Sequence, residues 1–263
     1  MNSQQLGVAL KSGQRVYGTL VISPAPSWPT QVKRLGLDFV FIDTEHISLD
    51  RHQLSWMCQT FRALEIAPLV RIPSPDPYQA TMVLDGGASG VIAPYIETVE
   101  QVKALRGAVK LRPLKGQYLQ RIVDGHEDCG EELSQYLKVY NKNHLLIINI
   151  ESQPAIDALD DILGVPDIDA VLIGPHDLSC SLGIPEQYDH PRFDEAVRII
   201  IRKARASGIG AGMHFWAGLN QQVTWAREEN LNLIIHRADI LAFFEYMDSE
   251  INKIKEALDD KAV

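Results

Sequence analysis

Short apolar runs alternate with amphipathic stretches along the whole chain. Each run is nearly continuous in apolar residues, which is typical of parallel strands that are buried on both faces. The stretches between them, for example 49–64, 77–84, 99–108 and 193–206, repeat apolar residues at helical spacing. The eight runs are 16–22, 39–43, 68–72, 90–94, 145–151, 170–174, 209–213 and 231–236.

Eight strand–helix units in succession predict an α/β fold, a (β/α)8 or TIM barrel that forms one domain over residues 1–263. An open, doubly wound parallel sheet is the alternative, because it is built from the same alternation. In either fold, the functional side chains are expected at the carboxyl ends of the strands.

Two segments depart from the strand–helix rhythm. The segment from about 107 to 144 is too long for an ordinary loop, and it is expected to form either a lid or an ordered helical insertion. Residues from about 240 to 260 carry apolar side chains at helical spacing and predict an extra C-terminal helix. Packing on the core is the simpler interpretation of that stripe, and contact with a neighbouring subunit is the other.

The composition narrows the class of protein. Apolar residues make up 46% of the 263 residues and charged residues 22%, which is ordinary for a globular domain. The net charge of −9 and the absence of a Lys/Arg block argue against nucleic acid or an anionic membrane as a partner. Three widely spaced cysteines and no signal-peptide pattern predict a cytoplasmic protein with reduced thiols.

Five of the predicted strands end in, or are followed by, ionisable residues. A barrel wall tolerates charge only where it is paired or bound to a metal, so five such strand ends indicate a functional site. The side chains in question are Asp43 at the end of the second run and His46 after it, Arg71 at the end of the third, Glu151 at the end of the fifth, His176 and Asp177 after the sixth, and His214 after the seventh.

Glu151 and Asp177 are the candidate metal ligands. They follow neighbouring strands, so their carboxylates are expected within reach of one cation, and carboxylate oxygens suit hard divalent ions such as Mg²⁺ or Mn²⁺. In the structural alternative, Asp177 only caps a helix that begins at Leu178.

The turn at Gly174, His176 and Asp177 offers main-chain N–H groups for the carboxylate of a small 2-oxo acid. Chelation of that acid by the metal would acidify its methyl group, which is metal-assisted enolate chemistry. Arg71 could then face the enolate oxygen, or it could simply form a salt bridge at the barrel mouth. His46 is the candidate proton carrier, with Asp43 or Asp85 to orient it, although a lone histidine is often structural.

Five ordered motifs resemble those of the HpcH/HpaI aldolase family of metal-dependent, class II pyruvate aldolases. The resemblance extends from about Gly18 to Asp239 and so covers most of the chain. The motifs are Phe-Ile-Asp-Thr-Glu-His at 41–46, Val-Arg-Ile-Pro at 70–73, Leu-Asp-Gly-Gly-Ala at 84–88, Ile-Glu at 150–151 and Ile-Gly-Pro-His-Asp-Leu-Ser at 173–179.

The resemblance implies reversible aldol cleavage of a 4-hydroxy-2-oxo acid to pyruvate and an aldehyde. It implies that Glu151 and Asp177 hold Mg²⁺, Mn²⁺ or Co²⁺ and that Arg71 steadies the enolate. By the same resemblance, His46 and Asp85 relay protons through a metal-bound water, and amides near His176 and Asp177 bind the pyruvate carboxylate. It also implies a homohexamer, a trimer of dimers, in which subunits exchange the last helix.

The departures from the family pattern cluster where the aldehyde would bind. Residues 112–117 match a Pro-Pro-x-Gly-x-Arg-Gly segment only in part, and Asn149 stands where glutamine is common. His214 replaces an apolar residue, and 236–239 replace a glycine-rich turn. We therefore expect an intact enolate site with a changed acceptor pocket, and we expect Asp43 and His214 to bind substrate. A citrate-lyase-like hydroxyacyl-CoA lyase and a non-catalytic binding barrel are the alternatives.

Overall fold

The eight apolar runs form eight parallel strands that close into a barrel in chain order, β1 to β8, with β8 beside β1. The computed structural model describes residues 1–260. Each strand overlaps its predicted run, so the barrel prediction is confirmed and the open-sheet alternative is wrong. The strands are β1 (Val16–Leu20), β2 (Phe39–Asp43), β3 (Ala67–Arg71), β4 (Gly90–Ala93), β5 (Leu145–Ile150), β6 (Ala170–Ile173), β7 (Gly210–Phe215) and β8 (Leu233–Ala238).

Helices connect the strands, and several begin at side-chain caps that the sequence supplies. Asp50 and Thr98 each accept a hydrogen bond from the third residue of the helix that follows, which satisfies a free N–H group of its first turn. The helices are α1 (Ser3–Ser12), α2 (Trp28–Lys33), α3 (Arg51–Ala63), α4 (Pro77–Asp85), α5 (Val99–Lys110), α6 (Gly116–Val123), α7 (Gly130–Tyr140), α8 (Gln153–Asp157), α9 (Leu159–Leu163), α10 (Pro175–Ser181), α11 (Pro191–Ala206), α12 (Leu219–Glu228) and α13 (Asp239–Ala257).

The core has two layers because successive side chains of a strand point to opposite faces of the sheet. One set fills the barrel interior, and helix α1 contributes Leu6 and Leu10 to it. The other set packs between the strands and the outer helices. On β2, Phe39 and Phe41 belong to the interior, whereas Val40 and Ile42 belong to the outer layer.

The same alternation decides which polar side chains reach the barrel mouth. Asp43 continues the inward series of Phe39 and Phe41, and Arg71 follows the inward Leu69. On β5 the inward residues Leu145 and Ile147 are followed at the same spacing by Asn149 and Glu151, and on β6 the inward Leu172 is followed by Gly174. Asp43, Arg71, Asn149, Glu151 and Gly174 therefore all face the barrel interior at the same end of the barrel.

The segment between α5 and β5 is an ordered helical insertion. It consists of α6 and α7, and it begins after Lys110 because α5 is longer than predicted. Asn141 donates from its amide to the main-chain oxygens of Lys110 and Arg112, which ties the end of the insertion to its start. Because barrel helices end beside the amino ends of the strands, the insertion lies at the opposite end from the mouth and is no lid over it.

The extra C-terminal helix is present as α13. Core packing was the simpler interpretation of its apolar stripe, and that interpretation is wrong, because no residue of α13 is buried in the described chain. Within residues 1–260, none of the helices combines the length and the apolar character that crossing a bilayer requires.

Candidate active site

Arg71 lies at the end of β3 and points into the barrel. Its Nε and Nη2 atoms donate to the two carboxylate oxygens of Asp43 at 2.8 and 2.6 Å. Its Nε also lies 3.1 Å from Oε2 of Glu45, and only 14% of the side chain is exposed. The salt bridge that the sequence allowed is therefore real, and it holds the guanidinium inside the mouth rather than in bulk water.

The guanidinium stays charged in this setting. Burial alone would lower the pKa of Arg71, but the hydrogen bonds to Asp43 and the charges of Asp43, Glu45 and Glu151 outweigh it and raise that pKa. The guanidinium carbon also lies 5.4 Å from the centre of the Phe41 ring, within the range of a cation–π contact. Arg71 is thus a fixed positive charge that faces several carboxylates.

Glu151 follows β5 and is buried at the mouth. Its Oε1 accepts a hydrogen bond from the main-chain N–H of Tyr95 at 2.7 Å, and its Oε2 accepts one from the amide of Asn149 at 2.9 Å. A Cβ atom at Gly174, on the neighbouring strand end, would lie 2.5 Å from the same Oε2. A larger residue at position 174 would therefore displace the Glu151 carboxylate from this position.

Burial raises the pKa of Glu151 above its ordinary value, and the nearby carboxylates of Asp177 and Glu45 raise it further. The hydrogen bonds from Tyr95 and Asn149 act in the opposite direction. Glu151, Asp177 and Glu45 thus form a group of like charges that repel one another. A cation among them would remove that repulsion.

Helix α10 begins at Pro175, directly after Gly174, which is earlier than the helix that Asp177 was expected to cap. Asp177 lies in the first turn, and in the described chain no side chain caps this helix start. Binding of a carboxylate by the N–H groups at Gly174, His176 and Asp177 stays a prediction. His176 is exposed, and its Nδ1 lies 3.6 Å from the carboxylate of Glu186.

The structure brings His46 to the mouth but does not bring Asp85 to it. His46 is exposed, and its Nε2 lies 3.6 Å from Oε1 of Glu45. Asp85 ends α4 and pairs with Arg112, which begins the insertion at the amino-terminal end of the barrel. Within one chain, Glu45 rather than Asp85 is the carboxylate beside His46, so the relay through Asp85 stays a prediction.

His214 lies on the interior face of β7. Burial lowers the pKa of its imidazole to about 4, so the ring is neutral near pH 7. Its Nε2 lies 2.9 Å from the main-chain oxygen of Arg237, which can only accept, so Nε2 carries the proton and Nδ1 is an acceptor. The rings of Phe41 and Trp216 lie at 5.6 and 5.3 Å, which gives this side of the mouth an aromatic lining.

Sequence reasoning missed three residues of this site. Asn149 is a departure from the family pattern, and its position two residues before Glu151, on the same face of β5, could have assigned it to the site. Glu45 stands in the turn that was singled out, but nothing in the sequence showed that it turns inward. Tyr95 could not be identified from the sequence, because its phenol is hydrogen-bonded to Glu45, which follows a different strand. That hydrogen bond raises the pKa of the Tyr95 phenol to about 12.

The residues at the mouth fit a divalent cation. In residues 1–260, no three His, Cys, Asp or Glu side chains form a ready metal cluster, so Glu151 and Asp177 would need water or substrate to complete the coordination. Within the described chain, Oε2 of Glu45 and Oδ1 of Asn149 are buried and accept no hydrogen bond, and Oε2 of Glu45 has only the ion pair with Arg71. A bound cation would offset the repulsion between the carboxylates, and its water ligands would donate hydrogen bonds to the buried oxygens.

Solved structures and curated proteins resemble this chain over almost its whole length. The crystal structure of an HpcH/HpaI aldolase from Desulfitobacterium hafniense has a TM-score of 0.82 and 26% identity, and the match covers 95% of this chain and 96% of that one. A 2-keto-3-deoxy-L-rhamnonate aldolase from Shigella boydii is 28% identical over 247 residues, which is 94% of this chain and 91% of the relative.

A second curated relative is named after a different substrate. The hydroxypyruvate/pyruvate aldolase of Roseovarius nubinhibens is 28% identical over 214 residues, which is 78% of this chain and 79% of the relative. The profile of the HpcH/HpaI aldolase/citrate lyase family matches residues 18–230, most of the chain. That span includes every strand from β2 to β7 and the candidate site residues from Asp43 to His214. The chain belongs to the HpcH/HpaI aldolase/citrate lyase family.

Proposed function

We propose that this protein cleaves a 4-hydroxy-2-oxo acid reversibly into pyruvate and an aldehyde, with the help of a divalent metal ion. The enzyme is a carbon–carbon lyase of the aldolase type, as its relatives are. One observation carries the proposal for this site: the buried carboxylate of Glu151, close to that of Asp177, shares the barrel mouth with an inward-facing Arg71.

Glu151 and Asp177 are the proposed ligands of Mg²⁺, Mn²⁺ or Co²⁺. When bound, such an ion would polarise the ketone of a 2-oxo acid and acidify the adjacent methyl group. Gly174 leaves the space in which the Glu151 carboxylate lies, and Asn149 and Tyr95 orient that carboxylate through hydrogen bonds. Such partners of a ligand typically set its direction and its affinity.

The substrate is proposed to lie between the start of α10 and Arg71. The N–H groups at Gly174, His176 and Asp177 would bind its carboxylate, since no side chain caps the first turn of α10 in the described chain. When the C3–C4 bond breaks, its electrons become the enolate of pyruvate, and the charge falls on an oxygen. Arg71, held in place by Asp43, would stabilise that oxygen in every protonation state.

His46 is the proposed proton carrier. Cleavage requires a base for the 4-hydroxyl proton and an acid that returns a proton to C3 of the enolate. His46 is exposed at the mouth beside Glu45, so it can exchange protons with solvent and substrate. An orienting role for Asp85 would require Asp85 of another subunit, since within one chain it pairs with Arg112.

The aldehyde half is proposed to contact His214. In its neutral form this side chain presents Nδ1 as a hydrogen-bond acceptor, and the Phe41 and Trp216 rings line the space around it. An acceptor at this point favours aldehydes that carry a hydroxyl group, because an unpaired polar atom in a buried site is costly.

We further propose a homohexamer in which α13 of one subunit packs on another. The outer face of β1 and β8 borders a largely apolar groove of about 570 Å³, which Tyr17, Leu35 and Ile234 help to line. Helix α13 extends away from this groove, and the apolar residues of the helix are exposed, among them Leu241, Phe243, Phe244, Met247, Ile251 and Ile254. A second copy of α13 would cover both surfaces.

The three cysteines are unpaired in the described chain, which supports a cytoplasmic location.

The test is pyruvate release from a panel of 4-hydroxy-2-oxo acids, measured with lactate dehydrogenase and NADH. We expect release with Mn²⁺ or Mg²⁺, loss of release after chelation, and recovery when the ion is returned. Cleavage of a hydroxyacyl-CoA in place of the free acids would favour the citrate-lyase-like alternative. A purified protein that neither retains metal nor cleaves either class would favour a non-catalytic barrel and would overturn the proposal.

A further inference from the structure

Tyr95 has a backbone conformation that its side chain does not favour. It follows β4 at the mouth, and its φ is +55°, in the left-handed region that residues other than glycine rarely occupy. Its main-chain oxygen accepts a hydrogen bond from the amide of Gln101 at 3.2 Å, which helps to hold the turn. Strain of this kind persists where the surrounding contacts impose it, and it often marks a functional position.

The main chain of Tyr95 contacts the metal-binding carboxylate. Its N–H donates to Oε1 of Glu151 at 2.7 Å, across 56 positions of sequence. The other oxygen of Glu151 is held by Asn149, so the carboxylate is fixed at both ends. The left-handed backbone of Tyr95 is the conformation in which this hydrogen bond forms.

The side chain of Tyr95 contacts a different part of the site. Its phenol donates to Oε1 of Glu45, which follows β2, and the other oxygen of Glu45 lies 3.1 Å from Nε of Arg71. Strand β3 lies between β2 and β4 in the barrel, so the phenol reaches across the end of the strand that carries Arg71. Half of the Tyr95 side chain is exposed, so packing alone does not explain its position.

We propose that Tyr95 is a positioning residue that fixes the metal-binding carboxylate of Glu151 relative to the guanidinium of Arg71. Its main chain holds Glu151, and its phenol holds Glu45 and thereby Arg71. The inference rests on the function proposed above, because it concerns how the same site fixes the position of the metal ligand relative to the group that stabilises the enolate. Without the phenol, Glu45 is free to rotate away from the guanidinium.

The phenol is tested with Tyr95→Phe, which removes only the hydroxyl group. The readouts are exchange of the pyruvate methyl protons for deuterium by ¹H NMR and Mn²⁺ affinity by electron paramagnetic resonance. We expect the kcat of exchange to fall by about tenfold while Mn²⁺ affinity changes by less than about twofold, since the main-chain contact remains. Tyr140→Phe is the matched control, because Tyr140 is similarly exposed but lies on the insertion.

A double-mutant cycle with Glu45→Ala separates positioning from a general loss of structure. Tyr95→Phe should cause little further loss in the Glu45→Ala background, because the partner of the phenol is already gone. An equal fractional loss of exchange in both backgrounds would show that Tyr95 does not act through Glu45. Wild-type exchange in Tyr95→Phe would overturn the role of the phenol outright.

The main-chain contact is tested with Tyr95→Gly and Tyr95→Val. Glycine tolerates the left-handed conformation and valine does not, so Mn²⁺ should bind about fivefold or more weakly to the valine variant than to the glycine variant. Glu65→Gly and Glu65→Val are controls, since Glu65 has a φ of +59° at the turn between α3 and β3. Equal Mn²⁺ affinity of the two Tyr95 variants would overturn this part of the proposal.

These readouts distinguish the positioning role from the proposed function. A wild-type protein that binds Mn²⁺ but neither exchanges pyruvate protons nor cleaves a 4-hydroxy-2-oxo acid would refute the function, and the Mn²⁺ comparison would still decide the main-chain role. A wild-type protein that cleaves and exchanges normally, with Tyr95→Phe unchanged, would refute the phenol's role alone.

Discussion

Arg71 and Asp43 form a two-point ion pair at the ends of neighbouring strands, with both carboxylate oxygens accepting from the guanidinium at 2.8 and 2.6 Å. A planar guanidinium can make both contacts and still present a positive charge to the proposed enolate, whereas an ammonium group cannot reproduce that geometry. The pair therefore fixes where positive charge lies in the mouth.

Replacement of Arg71 by lysine should lower kcat/KM for aldol cleavage by about 100-fold, because one fixed donor to the developing oxyanion is lost. Steady-state kinetics with coupled pyruvate detection measures the effect. Arg106→Lys is the matched control, since Arg106 pairs with Asp167 on the surface at the other end of the barrel. If Arg71→Lys keeps wild-type kinetics, Arg71 does not stabilise the enolate.

Loss of either proposed ligand should abolish tight metal binding. For Glu151→Gln and Asp177→Asn we expect Mn²⁺ affinity to fall by about 100-fold or more, because each variant removes one of two charged ligands. Titration followed by electron paramagnetic resonance gives the affinity. Asp128→Asn and Glu131→Gln, on the insertion, are controls that should bind Mn²⁺ like the wild type.

Gly174→Ala should disturb the metal site without a change at any ligand. The added methyl group would lie 2.5 Å from Oε2 of Glu151 and would displace the carboxylate. We expect Mn²⁺ affinity to fall by about tenfold or more, as for loss of a partner that orients a ligand. Gly86→Ala is the control, because its nearest contact would be 3.3 Å. Unchanged affinity in Gly174→Ala would argue against Glu151 as a ligand.

The buried imidazole of His214 should make stability depend on pH. Its folded-state pKa of about 4 lies below the ordinary value of 6.5, so between these values the unfolded chain binds a proton that the folded chain does not. Stability therefore falls as pH drops from about 6.5 toward 4, by on the order of 2 kcal/mol at about pH 4.5.

Urea denaturation at several pH values checks this dependence. His214→Gln should have a shallower decline than the wild type, and the exposed His126→Gln should not. Some decline should remain in His214→Gln, because burial also lowers the pKa of His144 to about 4. An identical decline in His214→Gln and the wild type would mean that His214 is not buried in its neutral form.

Charge on the apolar face of α13 should break the oligomer. Phe244→Asp places a carboxylate on a face proposed to be buried between subunits, where an unpaired charge is costly. We expect the mass from light scattering to fall from that of a hexamer to that of a smaller species. Asp248→Asn, on the same helix, is the control. A monomeric wild-type protein would refute the exchange of α13.

The eight strands were predicted from the sequence because burial on both faces requires nearly continuous apolar runs, and such runs are local features. The helices over 77–84 and 99–108 were predicted almost to their ends for a similar reason, since caps and apolar spacing are local. The role of the apolar stripe on α13 could not be predicted, because spacing alone does not tell whether a surface meets its own core or a second subunit.

The ionisable strand ends predicted Asp43, Arg71, Glu151 and His214 as candidate site residues from the sequence alone, because the end of an apolar run is a local feature. Only the closed barrel decided which partners these residues meet. Arg71 contacts Asp43 from 28 positions away, and Tyr95 contacts Glu151 from 56. Tyr95 and Glu45 entered the site for that reason, and Asp85 remained with Arg112 at the opposite end. Local patterns fix the direction of a side chain, but contact between strands depends on the register and closure of the whole sheet.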